Sequence, residues 1–289
     1  MEGPKRFYEL GADSLVEWHV PGATGAGREF FSTRTLRRRL EVGPALPPAL
    51  FIFHCGRCGS TLLGRLLEVD EGNRVCLEPN ALLQFFELNA DRLGRPEARI
   101  SFQPLLLSYG LAPQAGEQRL VIKFSSQNVR QVEFVRACFP GVPFVYLLRD
   151  PAEVVASNLR FTPQFMDAND RPALARAFGG TTKPVETYAL SEWCAWYVDR
   201  NFRWALRHVE LFHDAIDYRH WQAGYLAVLN GLSPEPRSLV DPAVAQVFNR
   251  HSKQRKEVYS AEADARKTTP EVRRIANEIA GESYGQWRG

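Results

Sequence analysis

No stretch of this chain reaches the eighteen or so uncharged apolar residues that a bilayer-spanning helix needs. The opening MEGPKRFYELG has no apolar h-region. Neither a secretory leader nor a membrane span is expected, and a cytoplasmic location follows as the expectation. Cysteine is scarce: five in 289 residues, at positions 55, 58, 76, 138 and 194. An odd, sparse set excludes a disulfide framework, which a chain of this length does not need to hold a core. No internal repeat or long low-complexity tract is present, which leaves out the repeat architectures. The formal net charge is only +3. That excess is too small to imply a nucleic-acid protein, yet it suits a site that holds a polyanionic ligand. The histidines at 19, 208, 213, 220 and 251 lack metal-ligand spacing with Cys, Asp or Glu, so no metal is expected.

What is present is an ordinary globular composition, 45% hydrophobic and 24% charged. Short apolar runs at Ala49–His54, Arg74–Leu77, Leu120–Phe124 and Val142–Leu148 are rich in β-branched or aromatic residues and lack alternation. That is the pattern of strands buried on both faces of a parallel sheet. A further short strand is expected at Ala215–Tyr218. Helical patterns lie between and after them, at Ser60–Val69, Asn80–Leu88, Asn128–Cys138, Pro151–Leu159 and about Tyr188–His208. Strands alternating with helices predict a doubly wound α/β domain over residues 47–289. Residues 1–46 read as an N-terminal extension of unassigned role. Its basic cluster, Arg34 and Arg37 to Arg39, reads as a solvated helix face. The stretch Arg160–Glu186, with three prolines and Gly-Gly-Thr-Thr, reads as a loop, either a lid or a plain connection. The charged stretch after about Arg250 is expected to be partly mobile.

The strongest local signal is FIFHCGRCGSTLLGRLL, residues 51–67. A buried strand runs into a turn carrying Gly56 and Gly59, and Ser60 and Thr61 open a helix. Glycines allow close backbone approach, successive N–H groups turn inward, and the helix N-terminus adds partial positive charge, so the segment is built to cradle an anion. Against the nucleoside-triphosphate pattern G-x-x-x-x-G-K-[ST], Ser60 stands at the lysine and His54 at the leading glycine. The positive charge comes earlier in the loop, from Arg57. This favours a phosphosulfate or similar group over ATP with magnesium. The plainer reading of Arg57 is an exposed loop arginine, and of Cys55 and Cys58 two small residues in a tight turn.

A second basic strand end lies in VPFVYLLRDPAEVVASNLR, residues 142–160. Pro151 suits the first helical position and Asp150 can cap it. Arg149 ends the strand, where side chains project toward the ligand crevice of such folds. Ser157 follows eight positions later, on the helix. Arg plus a hydroxyl is good chemistry for a phosphate monoester. Alone, Arg149 could equally pair with Asp150 or another carboxylate, and Ser157 could simply mark close helix packing.

These two segments resemble the signatures of the PAPS-dependent sulfotransferases, most nearly the bacterial and carbohydrate-type members. HCGRCGSTLL resembles the loop that binds the 5′-phosphosulfate, and FVYLLRDPAEVVAS the segment that binds the 3′-phosphate. Between them, LVIKFSSQNVRQVEFVRACFPGVPFVYLLRDP is similar to the family's linker. AIDYRHWQAGYLAVLNGLSPE is similar to a later segment, with Tyr218 retained, Arg219 in place of an acidic residue, and Asn230-Gly231-Leu232 for Leu-Gly-Leu. The likeness spans about residues 49–235. The C-terminal glycine-and-lysine segment is not evident, and Arg250, His251, Ser252 and Lys253 are its candidates.

The resemblance implies a three-layer P-loop α/β fold with a central parallel sheet flanked by helices. It also implies transfer of a sulfuryl group from PAPS to a hydroxyl or amine of a small-molecule or carbohydrate acceptor. Gly56, Arg57, Cys58, Gly59, Ser60, Thr61, Arg149, Ser157 and Lys253 would hold the donor. Arg57 would steady the leaving phosphate and Glu78, in CLEPNALL, would act as base. An apolar wall beside Glu78 could raise its pKa toward neutrality. Glu78 could instead cap the helix after Pro79. His54 is the competing base, and Lys123 could reach donor or acceptor. The rival readings are a P-loop kinase-like phosphotransferase and a non-catalytic nucleotide-binding protein with the same fold.

Overall fold

The computed structural model describes residues 7–8, 15–19, 28–248 and 268–288. Near the N-terminus, β1 (Phe7–Tyr8), β2 (Leu15–His19) and β3 (Arg28–Ser32) form a small antiparallel sheet. Helix α1 (Thr33–Val42) follows and packs on α4 (Pro96–Leu107). Leu36 turns inward from α1 while Arg34 and Arg37 to Arg39 stay exposed, the solvated basic face read from the sequence. Leu36 and Leu46 belong to the same core as the sheet described next.

The main sheet has five parallel strands in the order β5-β6-β4-β7-β8, where β4 is Pro48–His54, β5 Asn73–Leu77, β6 Arg119–Lys123, β7 Phe144–Leu148 and β8 Asp214–Asp217. The inner strands are buried on both faces, which is why their sequences do not alternate. Phe51, Phe53, Phe124 and Phe144 pack ring to ring at 4.8–5.5 Å between centroids. The Arg136 guanidinium lies 3.7 Å over the Phe144 ring, an attraction of cation for ring face.

Helices α2 (Ser60–Leu67), α3 (Asn80–Leu88), α5 (Val132–Cys138), α6 (Pro151–Arg160) and α8 (Leu190–Leu206) follow the expected alternation. Two expectations change. Helix α5 begins at Val132, because Ser126–Gln131 forms a 3-10 turn first. The stretch 160–186 is no bare loop. It contains α7 (Arg171–Ala177), and Met166, Leu174, Ala175 and Phe178 bury their side chains in the core. After β8 come α9 (Trp221–Leu232), α10 (Pro242–Phe248) and α11 (Pro270–Gln286). Helix α11 packs on α8 and α6, and Trp287 stacks on Tyr146 of β7 at 5.0 Å.

The strand order places β4 at the centre, with the chain leaving it first toward β5 and β6 and later crossing to β7 and β8. Such a switch point opens a crevice at the carboxyl ends of the strands. Five strand ends deliver their next residues there: the loop at 55–59 after β4, Glu78 after β5, Lys123 closing β6, Arg149 after β7 and Tyr218 after β8.

Candidate functional site

The glycine loop enters the left-handed region at three of its residues. Gly56 has φ 85°, Arg57 φ 52° and Gly59 φ 82°. At Gly59 the freedom is obligatory, since a Cβ would come 2.4 Å from the Tyr218 ring and 2.8 Å from the Tyr225 hydroxyl. The Tyr225 hydroxyl donates to the Cys58 carbonyl at 3.0 Å, pinning the loop from α9. Helix α2 then starts at Ser60 with no side-chain cap, leaving its N-terminal dipole for another anion. Cys55 and Cys58 are free and fully buried. Burial pushes the Cys55 thiol well up from its ordinary range, whereas at Cys58 burial is outweighed by the contacts with Cys55 and His54, which hold its thiol well below it.

Arg57 and the second basic strand end meet directly. Arg57 Nε donates to Ser157 Oγ at 2.9 Å, and Nη2 to the Ser157 carbonyl at 3.2 Å. Arg149 Nη1 donates to the Arg57 carbonyl at 3.3 Å. The Arg149 guanidinium lies 4.4 Å over the Tyr218 ring, and Arg57 lies 5.7 Å over Phe161. Asp150 does cap α6, accepting from the N–H groups of Ala152 and Glu153 at 2.9 and 3.3 Å. The carboxylate that pairs with Arg149 is instead Glu153, at 2.6 Å. Sequence reasoning missed Glu153, although its i,i+4 spacing from Arg149 was the available signal. Lys253, together with Arg250, His251 and Ser252, lies outside the described residues.

The other half of the crevice gathers Glu78, Lys123 and His54. Glu78 has φ 50°, a strained backbone for a glutamate, and it sits where the chain turns from β5 into α3. Its N–H donates to the Lys123 carbonyl at 2.7 Å, extending the β5–β6 pairing by one residue. Its carboxylate accepts from Lys123 Nζ, and Oε1 is 3.5 Å from His54 Nε2. Lys123 is 1% exposed while the Glu78 side chain is 47% exposed. The pair therefore shows its carboxylate outward and keeps its ammonium inside. Partial burial pushes the Glu78 carboxyl up, but the His54 contact and the Lys123 charge outweigh it and hold the group well below the usual carboxylate range. The rise expected from an apolar wall is not found, because the wall is a lysine and a histidine. No side chain caps α3, whose N-cap is Pro79, and the Glu78 carboxylate is spent on Lys123.

His54 is 3% exposed and both ring nitrogens are engaged. Nδ1 accepts from the Gly56 N–H at 3.0 Å, and Nε2 faces the Phe124 carbonyl at 3.0 Å. Ser126 hydrogen-bonds Tyr197 at 2.7 Å and lies against Gly56, whose hypothetical Cβ would stand 3.5 Å from its hydroxyl. Among the described residues, no group of three His, Cys, Asp or Glu side chains could hold a metal ion. Likewise no helix among them is long and apolar enough to cross a membrane.

No family model matches this chain, and no curated protein matches it. Among solved structures, it is similar to a sulfotransferase domain from the curacin biosynthetic pathway, at 16% identity and TM-score 0.42, over 82% of this chain and 98% of that one. A sulfotransferase from Mycobacterium tuberculosis H37Rv is 15% identical at TM-score 0.44, over 86% of this chain and 82% of that one. A retinol dehydratase, solved in complex with androsterone and the inactive cofactor PAP, is 13% identical at TM-score 0.37, over 95% and 91%. Function is therefore read from the side chains of the crevice.

Proposed function

We propose that this chain is a sulfotransferase that takes a sulfuryl group from PAPS and passes it to a hydroxyl or amine of a small-molecule or carbohydrate acceptor. One observation carries the reading. Two arginines and a serine, brought by the ends of two neighbouring parallel strands, converge through the Arg57–Ser157 bond at 2.9 Å and the Arg149–Arg57 bond at 3.3 Å. They meet beside an uncapped helix N-terminus, and a donor with phosphate at both ends of its ribose fits this set of cations, hydroxyl and helix dipole. The loop has no lysine in the place that nucleoside-triphosphate enzymes use for the β- and γ-phosphates.

Bound, PAPS supplies an activated sulfuryl group attached to a phosphate leaving group. The chain's own residues divide the remaining tasks. Arg57 and the start of α2 supply positive charge for the 5′-phosphate, and Arg149 and Ser157 hold the 3′-phosphate. Glu78, ionised and facing outward, accepts the acceptor's proton. Its depressed pKa makes it a weak base, so positioning beside the crevice is its main contribution.

The test is direct. The full chain is titrated with adenosine 3′,5′-bisphosphate and, separately, with ATP and magnesium, followed by an acceptor screen with labelled PAPS. Saturable binding of the bisphosphate in preference to ATP-magnesium is expected. Indifference to the bisphosphate would remove the proposed donor and the activity with it.

A further inference from the structure

The His54 side chain touches both halves of the crevice. Its Nδ1 accepts from the Gly56 N–H at 3.0 Å, so the ring proton resides on Nε2. That N–H points at the Phe124 carbonyl, 3.0 Å away, and at Glu78 Oε1, 3.5 Å away. The ring is nearly inaccessible and both nitrogens are committed, which argues against its acting as a free base. Gly56 opens the anion loop, and Phe124 directly follows Lys123, the partner of Glu78. One imidazole therefore spans the end of β4, the end of β6 and the carboxylate after β5.

We propose that His54 is a positioning residue that sets the first turn of the anion loop in register with the Glu78 carboxylate. This rests on the sulfotransferase reading for the meaning of the two halves, though the coupling itself can be measured without any ligand. An imidazole suits the task because its two nitrogens lie on opposite sides of a rigid ring, one accepting and one donating. Neither carboxamide side chain can do both. Asparagine can place an oxygen near the Nδ1 position, within reach of Gly56, and glutamine can place an N–H near the Nε2 position, within reach of Phe124.

The first measurement uses the wild-type chain and Glu78→Gln, with imidazole 15N–1H correlation spectra and the Gly56 amide resonance. The expected result is a His54 ring protonated at Nε2 and bare at Nδ1, with Glu78→Gln shifting both the ring resonances and the Gly56 amide. An Nδ1-protonated ring, or a Gly56 amide indifferent to Glu78→Gln, would overturn the proposal. The second measurement separates the two contacts by variant. His54→Asn should keep adenosine 3′,5′-bisphosphate affinity within about threefold while turnover falls about tenfold or more; His54→Gln should weaken that affinity by about tenfold, the scale of one buried hydrogen bond. Variants that move binding and turnover in step would overturn it as well. If the wild type binds no bisphosphate, the functional reading fails, and the spectra alone decide whether the coupling exists.

Discussion

The two halves of the strand-end crevice hang from the same sheet and differ in their charge. Beside β4 and β7, Arg57 and Arg149 meet the Ser157 hydroxyl and the Glu153 carboxylate. Beyond β5 and β6, one lysine meets one glutamate and the charges cancel. A half that gathers two guanidinium groups and a hydroxyl suits an anion. A neutral half whose ammonium is buried gains nothing from one, and it keeps its carboxylate ionised and aimed outward. Under the proposed function, donor binding falls to one side and proton handling to the other.

The largest test of that division is Glu78→Gln, which should lower turnover by roughly 100-fold or more while bisphosphate affinity stays within about threefold. Full activity would remove Glu78 as base; lost affinity would show that the halves are not separable. Arg149→Ala should act the opposite way. It removes a charge-assisted contact of about 1.5–3 kcal/mol, so the bisphosphate dissociation constant should rise by roughly 10–100-fold with turnover at saturating donor largely kept. Unchanged affinity would mean that Glu153 already satisfies Arg149. Gly59→Ala forces a Cβ into the Tyr218 ring at a left-handed φ and should cost about 1–3 kcal/mol, read as a lowered melting temperature. An unchanged melting temperature would show that the tyrosines do not pin the loop. Ser157→Ala, loss of one neutral hydrogen bond, should weaken the bisphosphate only about fivefold.

The smallest effect is in pH. The folded pKa of Glu78 lies below its unfolded value of about 4.3. Its ion pair therefore contributes stability that is fully present above that value and is lost as pH falls through the depressed one. The contribution is modest because the carboxylate is half exposed. Replacing Lys123 with Met should raise the acid limb of the turnover profile toward the ordinary carboxylate range. An unmoved limb would mean that Lys123 does not set the charge state of Glu78.

The inner strands of the main sheet were legible because burial on both faces writes an unbroken apolar run, and the strand ends shifted by only a residue or two. Helix α11 was not legible. It follows a long charged stretch that masked it, although Val272, Ile275, Ala276, Ile279 and Ala280 recur at helical spacing on its inward face. Helix α7 was hidden by the prolines and glycines around it. In the crevice, the types and places of Arg57, Arg149, Ser157 and Glu78 could be read from strand ends. The bond between Arg57 and Ser157 could not, since it joins residues 100 positions apart. The engagement of His54 on both sides depends on where Phe124 and Gly56 come to rest, which no local pattern encodes.

The margins of the main sheet are β5 and β8, the latter only four residues long, with Asp214 at its start and Asp217 at its end. A strand so brief offers an incoming chain few backbone groups to pair with, and Asp217 at its end is already held by Arg219 and Tyr284. With so short a ladder to extend, that margin gives a second copy little backbone to add to.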